Sequence, residues 1–259
     1  MRIAVIVTGV LRNFEIAMSN WQWPPSCEID YYLVTWSKTL QSYQLYSSQT
    51  PTSAMADIDR AMEILPFKQV SVLNYDALPI GIPSRFRMLY LWKHATKLAD
   101  MMPEYDSFII VRPELIMIPY GDLIDSDKEF LDTTDAFIAQ CSFEDYSHAG
   151  DQILIFGKRH IPHIERMYED LVQSDVLDIH TFMNNTFRKM RDEHGVTFKD
   201  FPHNKWFYMI SRRPGFPGNL NQHLFEVEKS FIEWFTTVQL GGENVFINLD
   251  VSRLRFLNQ

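Results

Sequence analysis

The stretch "IAVIVTGVLRNF", Ile3 to Phe14, decides how this chain is read. The apolar run Ile3–Val7 does not alternate with polar residues. It predicts a strand covered on both faces, as in a parallel sheet. The run stops at Thr8-Gly9, and a cation, Arg12, follows three residues later. Glycine lets another group come close to the backbone. Arginine can meet a diphosphate through two parallel hydrogen bonds. Ligands of open α/β sheets bind beyond the carboxyl ends of the strands. Two readings follow. One is a strand, a turn and a solvated arginine. The other is a strand followed by a loop, Thr8, Gly9, Val10, Leu11 and Arg12, that receives a phosphate.

Working outward, "IDYYLVTW" at 29–36 predicts a second buried strand, and further strands are expected at 69–74, 106–111, 135–140 and 151–156. Between them lie helical patterns. Asn13 to Trp21 is a short one, and Asp57–Leu65 has an acidic first turn and stops at Pro66. In Ser84–Met102, residues Met88, Leu91, Trp92, Ala95, Leu98, Ala99 and Met102 share one face. Ser84 is the expected cap of that helix. Strands alternating with helices predict an α/β fold around a parallel sheet through about residue 120, with mixed order beyond it. The Ser-, Thr- and Gln-rich segment 37–55 is expected to be a loop.

From Pro162 onward the pattern is mainly helical, with helices at Ile164–Val172 and His180–Met190. A last amphipathic helix is expected over 220–238 and a strand over 244–251. The division adopted is 1–213 for the main α/β domain and 214–259 for a helix-and-strand extension.

Bulk properties narrow the function. The 259-residue chain is 46 % hydrophobic and 22 % charged, which is globular rather than disordered composition. Its net charge of −9 opposes general nucleic-acid binding and docking on anionic membrane. No apolar run approaches the ~20 residues that span a bilayer, so no transmembrane segment is expected. Cys27 and Cys141 lie far apart and lack metal-ligand spacing. With no leader pattern at the start, a reduced, cytoplasmic setting is expected.

Four further places could carry chemistry. In "IIVRPEL", Arg112 and Glu114 end a hydrophobic strand, with Pro113 fixing the turn. Glu114 could hold a hard divalent cation that bridges two phosphates, or the two residues could be a surface ion pair. In "SHAGDQILIFG", Asp151 and Gln152 stand at a strand start. Asp151 could act as a base or stabilise positive charge at a sugar carbon, and Gln152 could orient hydroxyls. A plain Gly-Asp turn is the other reading, and His148 is a lesser candidate. Arg85 and Arg87 fall in the first turn of a helix, where cations oppose the helix dipole, a conflict that can mark a functional site. The cations Arg188, Lys189, Arg191, Lys199, Lys205, Arg212 and Arg213 form either an acceptor-binding surface or a solvated face. Neither G-x-G-x-x-G nor G-x-x-x-x-G-K occurs, which removes support from dinucleotide and P-loop readings.

Taken in order, "TGVLRNF", "VRPEL" and "GDQILIFG" resemble a family of small GT-A-type glycosyltransferases of bacteria and viruses, over roughly residues 1–160. The pattern is G-x-L-R-x-F, then R-P-D-L, then D-Q before an apolar strand. "DYYLVTW" is similar to that family's second strand, which ends in Trp36 here. The resemblance implies a GT-A-like, Rossmann-like sheet, mixed but mostly parallel and flanked by helices, with a helical C-terminal extension. It implies transfer of a sugar from a nucleotide-diphosphate donor, such as a UDP-sugar, to a glycan or other acceptor. Thr8 to Arg12, with Trp36, Arg85 and Arg112, would lie along the nucleotide. Asp151 and Gln152 would face the donor sugar. Glu114 would be the counterpart of the metal carboxylate, holding Mn²⁺ or Mg²⁺. The chain departs from the family at Glu114, where Asp is usual, and at Arg112, where the metal motif has an acid. These departures motivate an alternative: a non-catalytic nucleotide- or glycan-binding protein on the same fold.

Overall fold

The computed structural model describes residues 1–11, 14–40, 53–77, 84–119, 122–134, 136–141, 149–176, 178–202 and 206–210. Arg12, His148, Lys205, Arg212, Arg213 and the expected extension over 214–259 lie outside the described residues.

The first element is the strand that the opening stretch predicts. β1 (Arg2–Gly9) is buried from Ile3 to Thr8. It is followed by α1 (Phe14–Ser19), β2 (Glu28–Trp36), β3 (Lys38–Leu40), β4 (Ser53–Met55), α2 (Ile58–Ile64), β5 (Phe67–Leu73) and α3 (Ser84–Asp100). Next come β6 (Ser107–Val111), β7 (Leu115–Pro119), β8 (Phe137–Cys141), β9 (Ala149–Phe156), α4 (Ile161–Val172), α5 (Ile179–His194), β10 (Phe198–Asp200) and β11 (Trp206–Ile210). The central sheet has seven strands in the order β10-β8-β9-β6-β1-β2-β5. β1 is parallel to both β2 and β6, and β2 is parallel to β5. β9 runs antiparallel to both β6 and β8. The six strands expected between residues 3 and 156 all lie in this sheet, and β1 lies inside it. The fold is the expected α/β class: a mixed, mostly parallel sheet flanked by helices.

Side-chain alternation along β1 explains the layers. Ile3, Val5 and Val7 point to one face, where they pack with Phe14 and Met18 of α1 and Ala61 of α2. Ala4 and Ile6 point to the other, where they meet Leu89 and Trp92 of α3, Ile164 of α4 and Phe182 of α5. The sheet is thus sandwiched, and both faces of its inner strands are apolar.

Local signals set the helix ends. The Asp57 carboxylate accepts the Arg60 N–H at 3.0 Å, and the Asp178 carboxylate accepts the Thr181 N–H at 2.7 Å. α5 ends at Gly195, whose φ of 66° is left-handed. α4 starts three residues before the expected Ile164, because Pro162 is tolerated in a helix's first turn, where its missing N–H has no helical partner. α3 begins at Ser84 itself, so Ser84 opens the helix rather than preceding it.

The expected loop over 37–55 is corrected in part. Its ends, β3 and β4, pair antiparallel as a small separate sheet. A second pair, β7 with β11, joins segments far apart in sequence. Among the described residues no helix is long and apolar enough to cross a membrane.

His160, just before α4, is 2 % exposed and lies edge-on to the Phe137 ring. The Arg159 Nε–H donates to its Nε2 at 3.2 Å. Burial, followed by the nearby charges of Arg159 and His163, pushes its pKa down to about 4.

Candidate functional site

The strand order places a crevice before any side chain is considered. From β1 the chain moves outward in one direction, to β2 and then β5. It then crosses by α3 to β6, on the opposite side of β1. The carboxyl ends of β1 and β6 therefore flank a topological switch point, the usual ligand position in such sheets. Gly9 ends β1, and Arg112-Pro113-Glu114 follows β6.

Gly9 is needed there. Its φ is +148°, and a Cβ on it would stand 2.7 Å from Pro113 Cδ, 3.3 Å from Pro113 Cγ and 3.8 Å from Glu114 Oε2. Its carbonyl accepts the Thr35 hydroxyl at 2.7 Å, which fixes the peptide against β2. Sequence reasoning missed Thr35, because its role depends on the register of β1 on β2.

Pro113 shapes the other wall. The Leu115 N–H donates to the Arg112 carbonyl at 3.1 Å, closing a β-turn with proline in its second position, where its fixed φ is pre-set. The turn holds Glu114 at 1 % exposure. β9 begins where β6 ends, since Ile153 pairs with Val111 in the antiparallel ladder. The Arg112 N–H donates to the Gln152 carbonyl at 3.1 Å and extends that ladder. This brings Asp151 to the same place.

One guanidinium joins the two carboxylates. Arg112 Nη2 donates to Glu114 Oε1 at 2.6 Å, and Nη1 donates to Asp151 Oδ2 at 2.7 Å. The Arg112 side chain is 13 % exposed and that of Asp151 15 %. Burial works against the guanidinium charge, but Glu114 and Asp151 outweigh it and raise the Arg112 pKa further above its ordinary value. One cation between two anions leaves the cluster one net negative charge. Charges this buried persist only when paired.

The alternative of a surface Arg–Glu pair does not hold, since Glu114 is buried and Asp151 completes the cluster. Gln152 is half-buried beside it. Thr8 is 2 % exposed, and its Oγ1 is buried without a hydrogen-bond partner. The side chains of Val10 and Leu11 pack on the two opposite cores, so this loop can offer a ligand mainly backbone. Trp36, expected along a nucleotide, is 1 % exposed and stacks on Tyr90 with ring centroids 5.8 Å apart. It is a core residue, because its place in β2 turns it toward α3. Arg85 lies in the first turn of α3. Arg87 stacks over Tyr75 at 3.9 Å and donates to the Tyr75 carbonyl at 2.6 Å. Arg188, Lys189, Arg191 and Lys199 are exposed, as a solvated face requires.

The resemblance implies a divalent cation at Glu114. The described residues contain no group of three or more His, Cys, Asp or Glu side chains that could hold a metal ion. Glu114 Oε1 and Asp151 Oδ2 both face a guanidinium. A divalent ion on those oxygens, ~4 Å from that cation, would meet repulsion of about 8 kcal/mol, twice the ~4 kcal/mol for unit charges at an effective dielectric of ~20. With Arg112 bridging them, these two oxygens are already ion-paired, and the described residues offer no three-ligand set for a divalent cation.

No family model matches the sequence, and no curated protein matches it. Among solved structures, the chain is similar to a glycosyltransferase involved in the glycosylation of the major capsid of PBCV-1. That match has 7 % identity and a TM-score of 0.39, and covers 77 % of this chain and 81 % of that chain. The likeness is too distant to carry residue correspondences.

Proposed function

We propose that the chain is a glycosyltransferase that moves a sugar from a nucleotide-diphosphate donor to a glycan or similar acceptor, with the β1/β6 crevice as its donor site. The observation that supports this is the buried Arg112–Glu114–Asp151 cluster at the switch point of the sheet. The Gly9 backbone gives a diphosphate room to approach. Arg12, assigned on sequence alone, would neutralise part of its charge. Arg112 holds the two carboxylates in fixed positions, which preorganises them against charge developing at a sugar carbon. In the transfer, the bond from the anomeric carbon to the diphosphate breaks and the diphosphate leaves with the electron pair. The acceptor oxygen bonds to that carbon and loses its proton to a base. Asp151 either takes that proton or stabilises the positive carbon, and Gln152 orients hydroxyls.

The test is a thermal-shift screen against nucleotide sugars followed by a transfer assay. A ligand at ~100 times its Kd stabilises the native state by about 2.7 kcal/mol. Asp151→Asn should lower turnover by ~10²-fold or more while donor affinity changes far less. Absence of both stabilisation and donor cleavage across the screen would refute the reading. A second reading, a non-catalytic nucleotide- or glycan-binding protein, is favoured by the fact that both candidate carboxylates are already ion-paired. Stabilisation without any hydrolysis or transfer would select it.

A further inference from the structure

We propose that the Arg112 guanidinium fills the position of a divalent cation in this crevice, so that ligand binding there is independent of metal. The inference deepens the glycosyltransferase reading and takes its donor site from it. The geometry carries it. A metal motif at this point of an α/β sheet needs carboxylate oxygens converging on one ion. Here Glu114 Oε1 and Asp151 Oδ2 do converge, but on Nη2 and Nη1 of one side chain, at 2.6 and 2.7 Å. The two carboxylates come from different elements, the turn after β6 and the start of β9. Bridging such a pair is the task a bound cation performs. A guanidinium does it with a planar fork of donors, and its charge is permanent.

The arrangement has functional consequences. Two of the five N–H donors of Arg112 are spent on the carboxylates. Those remaining suit an oxygen-rich ligand, a phosphate or a sugar hydroxyl. Because the cation is covalently part of the chain, it cannot be removed by a chelator or exchanged for another ion. Gly9 stands against the same turn, so β1 approaches the Arg112-Pro113-Glu114 segment closely.

The experiment has two arms on the full chain and one on a variant. Mn²⁺ is titrated into ligand-free protein, with bound Mn²⁺ read by electron paramagnetic resonance. No saturable site is expected, and a stoichiometric one lost in Glu114→Gln would overturn the proposal. UDP is then titrated by calorimetry in EDTA and in Mn²⁺. Sites that couple change each other's affinity by the same factor, so the two affinities should agree within about threefold, and a gain of about tenfold or more with Mn²⁺ would overturn it. The third arm is Arg112→Gln, which leaves the carboxylates without their cation. A folded Arg112→Gln protein should gain saturable Mn²⁺ binding, and a folded variant that binds none would overturn the proposal. Should the variant fail to fold, the first two arms decide. If UDP binds in neither condition, the donor-site reading fails, while the cation claim is judged by the ligand-free Mn²⁺ titration.

Discussion

Replacing Gly9 by alanine adds one methyl group where the β1/β6 crevice has no space for it. The added Cβ would stand 2.7 Å from Pro113 Cδ, below any ordinary carbon contact. The proline ring cannot swing away, because it belongs to the turn that buries Glu114. The φ of +148° adds backbone strain for a residue with a side chain. Overpacking costs about 1–3 kcal/mol and backbone strain about 1–3 kcal/mol, so Gly9→Ala should lose about 2–6 kcal/mol. For a chain of this size each kcal/mol lowers Tm by roughly 2–4 °C, giving a drop of about 4–24 °C. Urea denaturation should show a lower midpoint at unchanged m-value. Gly195→Ala is the internal control. Its φ is +66° and a Cβ there meets nothing within 4 Å, so only the left-handed backbone opposes it, at about 1 kcal/mol. If Gly9→Ala proves no less stable than Gly195→Ala, the argument from close approach is wrong.

Three further outcomes are expected. Arg12→Ala should weaken binding of a nucleoside diphosphate by about 1.5–3 kcal/mol, the range for a hydrogen bond to a charged group, and unchanged affinity by calorimetry would remove Arg12 from the site. His160 is depressed to about 4 in the fold against 6.5 when unfolded, so the unfolded state gains protons first as pH falls. Its contribution is complete above pH 6.5, fades between 6.5 and 4, and amounts to about 2 kcal/mol lost by pH 5. In His160→Leu that part of the slope should vanish from denaturation curves measured at pH 7 and pH 5. Trp21→Phe removes the indole N–H that donates to the buried Leu115 carbonyl at 2.6 Å, and should cost about 1–3 kcal/mol by chemical denaturation.

What could be read from sequence follows from the range of each interaction. β1, β2, β6 and β9 were legible because each contains a run of apolar residues (Ile3–Val7, Tyr31–Val34, Phe108–Val111 and Ile153–Phe156), a purely local mark. α3 was legible because Leu91, Trp92, Ala95 and Leu98 repeat at helical spacing. β7 and β11 carry the same local mark, in LIMIP and WFYMI, and were overlooked; what is not local is their pairing, in which Trp206 meets Pro119 across the intervening chain. The hairpin arms Lys38–Leu40 and Ser53–Met55 are too short and polar to alternate visibly. In the site, Gly9, Arg112, Glu114 and Asp151 were each singled out as residues. Their union was not legible, because it depends on β9 lying antiparallel beside β6. That the Trp36 ring enters the core was not legible for a related reason. A strand's last residue points into a crevice or into the core according to register, and register is a property of two strands.

That same pairing bears on how the chain reaches its native state. β9 is apolar on both faces: Ile153 and Ile155 enter one core, Leu154 and Phe156 the other. Hydrophobicity therefore does little to tell one alignment of β9 on β6 from its neighbour one residue away, which would exchange the two faces. Shape helps, through Phe156 stacked on Phe108 and on Phe137. The decisive term is electrostatic. A shifted β9 would withdraw Asp151, 39 residues beyond Arg112, from the guanidinium; Arg112 would keep Glu114 but lose one charge-assisted hydrogen bond, at a cost of about 1.5–3 kcal/mol. The ion triplet is thus a proofreading contact for the strand, and a chain that mispairs here is penalised before it can settle.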